Sequence, residues 1–208
     1  MAKAPRPVGD RIVDAALKLA ADSAWRSITL GDIARAARIS LATLRENFGS
    51  KAAIVGAVMA RTDAAMLDGM DSAAAAEPPR DRILDAIMRR LDALQPHKPA
   101  ICSILRDMPS DPGGLVCLAP RFCNAMAWTL EAAGIGSSGP GGRLRAKGLG
   151  LIYLGALRVW AGDESADQGK TLAFLDRRLR QAEQLVKWMP DGEKFARRRR
   201  RTAAKDSE

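Results

Sequence analysis

Apolar side chains recur at every third or fourth position along most of this 208-residue chain, which is the spacing of one face of an α-helix. Residues 10–22 illustrate the pattern, because their apolar side chains share one face and their charged side chains share the other. A strand would show strict alternation of apolar and polar residues, and we find no convincing stretch of that kind and no internal repeat. The sequence therefore predicts an all-α protein whose apolar helical faces pack against one another.

Prolines, glycines and helix-capping residues divide this pattern into about nine helices. The glycine-rich stretch 134–142 is predicted to be a loop, and residues 163–165 are predicted to connect the last two helices. The predicted helices cover residues 10–22, 30–37, 41–47, 51–70, 79–94, 100–107, 114–133, 143–161 and 167–188.

Three hydroxyl side chains mark the starts of helices near the N-terminus. Thr29 lies three residues before Asp32, which is the spacing of a capping box. Ser40 and Ser50 are good N-cap residues for the helices that follow them. This stretch therefore predicts two short helices joined by a tight turn, followed by a longer helix that begins at Lys51.

The second of these short helices is predicted to bury one side and to expose the other. Leu44 and Phe48 face the interior, and the residues left outside are Leu41, Ala42, Arg45 and Glu46. Two short helices that present the start of the second one have a shape that the major groove of DNA admits. A three-helix subdomain without DNA-binding activity has the same periodicity, so the pattern alone leaves both interpretations open.

Net charge and composition limit the classes of function that the chain can have. The net charge is +9, of which +4 falls in residues 1–60 and +3 in residues 190–208, so both ends can attract nucleic acid or an anionic membrane surface. The N-terminus lacks the apolar run of a signal peptide, and the longest uncharged apolar stretch of the C-terminal half is too short to cross a bilayer. The three cysteines show no paired spacing. We therefore expect a cytoplasmic protein in a reducing environment.

The motifs typical of enzymes are missing from the sequence. It contains no P-loop, no GxGxxG motif and no metal-ligand spacing, and His97 is its one histidine. Helix capping accounts for the acidic residues of the predicted turns, which are Asp107, Asp111, Asp163 and Glu164. We therefore expect no catalytic activity, no cofactor and no metal.

The segment TLGDIARAARISLATLRENFGSK, residues 29–51, resembles the helix-turn-helix of the TetR family of transcriptional regulators. The shared pattern is an initial threonine, Ile-Ala, a Val/Ile-Ser turn, Thr-Leu and a final Phe-x-Ser-Lys. The resemblance implies a homodimeric repressor whose partner is an operator in double-stranded DNA. It also implies a larger C-terminal domain that binds a hydrophobic small-molecule effector and forms the dimer interface.

The same resemblance implies which residues contact DNA. Thr29 and Lys51 are expected at phosphates, at the starts of the second and fourth helices. The groove-facing positions are Leu41, Ala42, Thr43, Arg45, Glu46 and Asn47. Arg45 replaces the tyrosine usual in the family and is expected to bind a phosphate or a guanine, and Glu46 can accept a hydrogen bond from a cytosine. The alternative is that both are merely solvated on a helix that no longer binds DNA.

In this interpretation the chain has a flexible leader (1–9), a helix-turn-helix DNA-binding domain (10–52), a helical ligand-binding and dimerisation domain (53–189) and a basic, disordered tail (190–208). The candidates for an apolar ligand pocket are Met88, Leu91, Ile101, Leu105, Phe122, Met126, Trp128, Tyr153 and Trp160. The candidates for the dimer interface are Gly148, Leu151, Gly155, Leu172, Leu175 and Leu179. Ordinary packing within the chain is the alternative explanation for both sets.

Residues 153–179 carry a second resemblance. Their pattern of Trp160, Asp163, Ser165, Asp167, Thr171 and Phe174-Leu175-Asp176 is similar to the end of the COQ9 family, a TetR-like fold whose members bind lipids in ubiquinone biosynthesis and associate with membranes. It implies an alternative function, that of a lipid-binding accessory protein that no longer binds DNA. A third alternative is nonspecific binding to DNA or to an anionic membrane surface through the arginines of the tail, Arg197 to Arg201.

Overall fold

The computed structural model describes residues 7–69 and 77–188, with side chains up to residue 184. This part of the chain contains α-helices and no strand, so the predicted all-α fold is confirmed. Its nine α-helices are α1 (Val8–Asp22), α2 (Leu30–Ala36), α3 (Leu41–Asn47), α4 (Lys51–Asp68), α5 (Pro79–Leu94), α6 (Lys98–Asp107), α7 (Pro112–Ala132), α8 (Gly139–Ala161) and α9 (Gly169–Trp188). None of these helices combines the length and the apolar character needed to cross a membrane.

Most helices begin within a few residues of the predicted positions. α1 begins at Val8, two residues before the predicted start. α8 begins at Gly139, inside the predicted glycine-rich loop, because Pro140 favours the first turn of a helix and offsets the unfavourable glycines beside it. The first six residues of the predicted leader, and the predicted tail, lie outside the described residues.

α1, α2 and α3 pack around a small apolar core. Each helix contributes at least one almost completely buried side chain, among them Ile12, Ile33 and Leu44. Trp25 and Ile28 cover this core from the connection between α1 and α2. Burial of an aliphatic side chain of this size is worth about 1.5–3 kcal/mol. Leu44 therefore holds α3 firmly against the other two helices.

α4 is packed in both halves of the molecule. It contacts α1 on one side and α5 and α7 on the other. The Arg61 guanidinium donates hydrogen bonds to the carboxylates of Asp10 (2.7 Å) and Asp14 (2.7 Å) and to the Asp10 carbonyl (2.8 Å), which fixes α1 to α4. The predicted domain boundary after residue 52 falls in the first turn of α4, so we propose that the two domains share this helix.

The larger interior lies among α5, α7, α8 and α9. Two glycines of α8 allow its neighbours to approach closely. A Cβ on Gly150 would lie 2.9 Å from the ring of Phe122 on α7, and a Cβ on Gly155 would lie 2.8 Å from the ring of Phe174 on α9. Since these distances are shorter than real Cβ contacts, a larger residue at either position would force the phenylalanine ring or its helix to shift.

A buried carboxylate organises the connection between α8 and α9. Asp163 is 1% exposed and accepts hydrogen bonds from the N–H and hydroxyl of Ser165 (3.2 and 2.5 Å) and from the N–H and hydroxyl of Thr171 (2.9 and 2.8 Å). The ammonium group of Lys98 donates to the Asp163 carbonyl oxygen (2.5 Å). The hydrogen bonds from Ser165 and Thr171 hold the pKa of Asp163 far below its ordinary value of 3.8. The predicted capping role of Asp163 is therefore confirmed.

Replacing Asp163 by asparagine should lower the melting temperature at neutral pH, because an amide cannot accept all four hydrogen bonds. The low pKa adds a pH signature: the stability that ionised Asp163 provides is complete above about pH 5 and is lost progressively as the pH falls. Thermal denaturation between pH 7 and pH 3 should show a difference from the wild type that shrinks in acid.

The exposed neighbour Glu164 provides the control. Glu164→Gln should melt at the wild-type temperature at pH 7. A wild-type melting temperature for Asp163→Asn at pH 7, or a deficit that stays constant down to pH 3, would contradict the role given to Asp163.

Candidate nucleic-acid interface

The N-terminus of α2 is capped by the capping box that the sequence predicts. The Thr29 hydroxyl oxygen accepts a hydrogen bond from the Asp32 N–H (3.1 Å), and the Asp32 carboxylate accepts from the Thr29 N–H (2.9 Å) and hydroxyl (2.7 Å). The hydrogen bonds from Thr29 lower the pKa of Asp32. The Thr29 hydroxyl is thus used within the cap, and a phosphate contact through it requires its hydrogen to turn away from Asp32.

α3 is held by its first turn and by its inner face. The Ser40 hydroxyl accepts a hydrogen bond from the Thr43 N–H (3.0 Å), and Leu44 is buried. The spacing in the sequence predicts correctly which side chains face outward, namely Leu41, Ala42, Arg45 and Glu46. α3 therefore presents a firmly anchored, exposed face that starts at its N-terminal turn.

Two of the expected groove residues use their polar atoms within this short segment. The Thr43 hydroxyl lies 2.9 Å from the Ser40 hydroxyl, and the Asn47 amide donates to the Thr43 carbonyl (2.9 Å). Arg45 and Glu46, by contrast, form no hydrogen bond or ion pair with any described residue. These two side chains are the ones on α3 whose charged ends are available to DNA.

The arginines close to α3 are partly engaged with the protein itself. Arg35 pairs with Asp32 at 3.3 Å, and the Arg11 guanidinium donates to the Ala37 carbonyl (2.7 Å) at the end of α2. On α3, the charges of Arg45 and Glu46 cancel. Attraction of the DNA backbone to this surface therefore depends on basic groups outside α3.

Lys51, which is expected at a phosphate, makes several contacts within the protein. Its ammonium group donates to the carbonyl oxygens of Trp25 (2.5 Å) and Ile28 (2.7 Å) and lies 4.4 Å from the centroid of the Trp25 ring. The side chain is half-buried, and burial lowers the pKa of its ammonium group. Lys51 therefore ties α4 to the connection before α2. The sequence offered no signal of this role, because its partners are 23 and 26 residues away.

α6 holds the same connection from the C-terminal half. The Ser103 hydroxyl accepts a hydrogen bond from the Trp25 N–H (3.0 Å) and donates to the Ser23 carbonyl (2.9 Å). Asp107 accepts from the Arg26 N–H (2.8 Å), so it joins the two halves of the molecule instead of capping a turn as predicted. The partners lie 78 to 81 residues apart, and no local pattern identifies them.

The residues expected to line a ligand pocket are, with one exception, packed inside the C-terminal half. The buried or half-buried ones are Met88, Leu91, Ile101, Leu105, Phe122, Met126, Tyr153 and Trp160. Trp128, the exception, is 50% exposed on the surface of α7. A cavity of about 550 Å³ lies beside His97, between α1 and α6, and one of about 280 Å³ lies where Trp25 meets α4, α6 and α7. Neither is lined by the expected residues.

The guanidinium of Arg90 is buried inside the C-terminal half. Arg90 is 1% exposed, pairs with Asp63 and lies 5.2 Å from the ring of Tyr153, which stacks on Phe122 with a centroid distance of 6.1 Å. Burial raises the pKa of Tyr153. The Arg90 Nε has no hydrogen-bond partner among the described residues. An unsatisfied buried donor among aromatic rings is a candidate anchor for the polar end of an apolar ligand.

Three of the six residues expected in the dimer interface lie on the outer surface. Leu151 is 74% exposed, Leu172 is 41% exposed, and a Cβ on Gly148 would meet no atom within 4 Å. Leu144 and Leu154 are 56% and 47% exposed on the same side of α8 as Leu151. We call Leu144, Leu151 and Leu154 the leucine face of α8. A cluster of exposed leucines is typical of a protein–protein contact.

The other three residues pack inside the chain. Leu175 and Leu179 are 0% and 5% exposed, and Gly155 accommodates the Phe174 ring. Their small or apolar character arises from contact between α8 and α9 of one chain. They are therefore not available to a partner subunit, contrary to the expectation.

Two family models match parts of the chain. Residues 12–58 match the model of bacterial regulatory proteins of the tetR family, and residues 145–186 match the COQ9 model. The search of curated proteins found no match.

Several solved structures resemble the whole described fold. A TetR transcriptional regulator from Nitrosomonas europaea is 30% identical over 88% of this chain and 100% of that one, with a TM-score of 0.69. A TetR transcriptional regulator from Rhodococcus sp. RHA1 (19% identity, 84% and 94% coverage, TM-score 0.64) and a tetR-family regulator from Streptomyces coelicolor (19% identity, 92% and 89% coverage, TM-score 0.53) share the fold.

The COQ9-like segment forms the joint between α8 and α9. Its Asp163, Ser165 and Thr171 make the cap described above, and the Trp160 indole N–H donates to the Gln95 side chain (2.9 Å). In this chain these residues therefore hold the ends of α8 and α9 together.

Replacing Lys51 by methionine should destabilise the protein even when no DNA is present. We expect the free energy of unfolding to fall by about 1–3 kcal/mol, because the Trp25 and Ile28 carbonyls lose a charged donor. Urea denaturation measures the change. Arg45→Ala, on the exposed face of α3, is the comparison variant and should stay within about 0.5 kcal/mol of the wild type. Equal stability of both variants would contradict the structural role of Lys51.

Proposed function

This chain belongs to the TetR family of transcriptional regulators, and we propose that it is a homodimeric repressor that binds an operator through α3 under the control of an apolar small molecule. The observation that carries the proposal is the exposed face of α3, anchored by the Ser40 cap and by buried Leu44.

The start of α3 is suited to the major groove of DNA. Leu41 and Ala42 are exposed apolar side chains that can contact a thymine methyl group, and Arg45 can form a bidentate hydrogen bond with guanine. Glu46 can accept from the amino group of a cytosine. A carboxylate at this position also repels phosphate, so it restricts binding to sites that supply a donor. We propose that Arg45 and Glu46 together provide most of the sequence preference.

We infer a homodimer from the small number of base pairs that one α3 helix can contact. A single reading helix covers too few base pairs for a specific site, and a two-fold pair covers two half-sites about 34–36 Å apart. The leucine face of α8, together with Leu172 of α9, supplies an apolar surface for such a pair. We propose that these residues meet their counterparts in a second copy of the chain.

Control by a small molecule is supported by α4, which connects the region around Arg90 with α1. Arg90 and Tyr153 are buried, so a ligand reaches them only if the surrounding helices move apart. α4 lines this region through Asp63 and also holds α1 through Arg61. The ligand changes operator affinity only if it binds one spacing of the two α3 helices better than another.

Fluorescence anisotropy with the DNA that flanks the gene of this protein tests the operator proposal. We expect salt-dependent binding that is tighter than to DNA of random sequence, and we expect Arg45→Ala to weaken it by about 5- to 150-fold for each half-site, the value of one bidentate base contact. Arg106→Ala, an exposed arginine of α6, should bind as the wild type does. Equal affinity for flanking and random DNA would exclude specific binding at that site.

Light scattering after gel filtration tests the dimer. Leu151→Glu should convert a dimer into a species of 22.3 kDa and abolish tight operator binding, because it places a charge in an apolar contact. Val116→Glu is matched to it, since Val116 on α7 is also 74% exposed. Dissociation by Val116→Glu, with Leu151→Glu still dimeric, would place the interface on α7 instead.

A further inference from the structure

Arg38, in the turn between α2 and α3, has a backbone conformation that arginine rarely adopts. Its φ of +56° lies in the left-handed region, where the Cβ of an L-residue crowds the backbone. Glycine is the residue that occupies such helix ends most readily. Arginine here is therefore less favourable for folding than glycine would be.

The fold dictates this backbone conformation without using the arginine side chain. The Ile39 N–H donates to the Ala34 carbonyl (3.0 Å), the Arg38 N–H donates to the Arg35 carbonyl (3.1 Å), and the Arg11 guanidinium holds the Ala37 carbonyl (2.7 Å). A glycine at position 38 would keep all of these hydrogen bonds, because they involve only the backbone of the turn.

Gln168 also has a left-handed backbone conformation, and in its case side-chain packing explains it. It is the other described non-glycine residue with positive φ (+52°). Its side chain is buried and donates a hydrogen bond to Asp92 (2.7 Å), so packing holds it in place. The Arg38 side chain, in contrast, is exposed and has no hydrogen bond or ion pair within the described regions.

The location of Arg38 suggests a role for its free guanidinium. It precedes Ser40, the cap of α3, by two residues, and so it stands beside the exposed start of that helix. Since Arg45 and Glu46 cancel on α3, and Arg35 and Arg11 are engaged by the protein, Arg38 is a basic group at this edge that is free to bind phosphate.

We propose that Arg38 binds a phosphate of the DNA backbone at the edge of the groove that α3 enters. This inference rests on the proposed operator binding and assigns the contact to a residue outside the reading helix. The contact adds affinity and orientation and carries no preference for base sequence. Its removal should therefore weaken binding equally on every duplex, unlike the removal of Arg45.

Arg38→Gly separates stability from binding. It should raise the melting temperature by about 2–4 °C, because the left-handed conformation is relieved. It should also weaken binding to flanking and random DNA by the same factor, about tenfold for each lost charged hydrogen bond and thus about 100-fold for a dimer. In a salt titration, the slope of log K against log salt should fall by about 0.9 for each phosphate that is no longer neutralised, and thus by about 2 for a dimer.

Two further variants isolate the charge. Arg38→Ala removes the guanidinium but keeps the Cβ, so it should lose the same affinity and slope as Arg38→Gly without the gain in melting temperature. Arg38→Lys keeps the positive charge and should keep the wild-type slope.

The outcomes distinguish this inference from the operator proposal. Wild-type affinity and salt slope in both Arg38→Gly and Arg38→Ala would overturn the phosphate contact and leave operator binding intact. A loss of affinity confined to flanking DNA would also overturn it, since that is the behaviour of a base contact. Equal wild-type binding to flanking and random DNA would overturn the specific operator, whereas the slope on random DNA would still decide the role of Arg38. A wild-type protein that binds neither duplex would overturn both.

Discussion

The packing of α4 against both halves of the molecule is the constraint on which the rest of the structure depends. Its first turn holds the connection before α2 through Lys51, its middle holds α1 through Arg61, and its other side contacts α5 and α7. α4 is one continuous helix of 18 residues between these contacts. The position of α3 relative to the C-terminal helices is therefore determined by a rigid element and not by a flexible linker.

A second attachment of a different kind runs through α6. Ser103 and Asp107 hold the backbone of the turn at Trp25 and Arg26 by hydrogen bonds, beside a cavity of about 280 Å³. Hydrogen bonds between neutral groups contribute about 0.5–1.5 kcal/mol net, and those to a carboxylate such as that of Asp107 contribute more. α6 also packs against α1, and its Ala100, Ile101 and Ile104 side chains are buried. The N-terminal helices are therefore attached to the C-terminal half through both α4 and α6.

The features that the sequence predicted correctly are those whose partners are close along the chain. The capping box of Thr29 and Asp32, the Ser40 cap and the inward position of Leu44 each involve residues within one or two turns. The contacts that the sequence did not predict concern distant partners. Lys51 carries a charge that suits a phosphate equally well, and only the folded chain brings the Trp25 carbonyl to it. The small residue Gly155 fits an interface between chains as well as one within a chain, and the DNA-binding and dimer roles remain predictions for the same reason.

The cap around Asp163 bears on what the similarity of this segment to the COQ9 family means. The cap itself is formed by Asp163, Ser165 and Thr171, and hydrogen bonds from Lys98 to the Asp163 carbonyl and from Gln168 to Asp92 attach it to the rest of the described chain. Because Asp163 takes its side-chain hydrogen bonds from within nine residues, the direction in which α9 leaves α8 depends chiefly on this short segment. Similarity confined to this segment therefore identifies a shared bend between two helices and gives no information about a bound ligand.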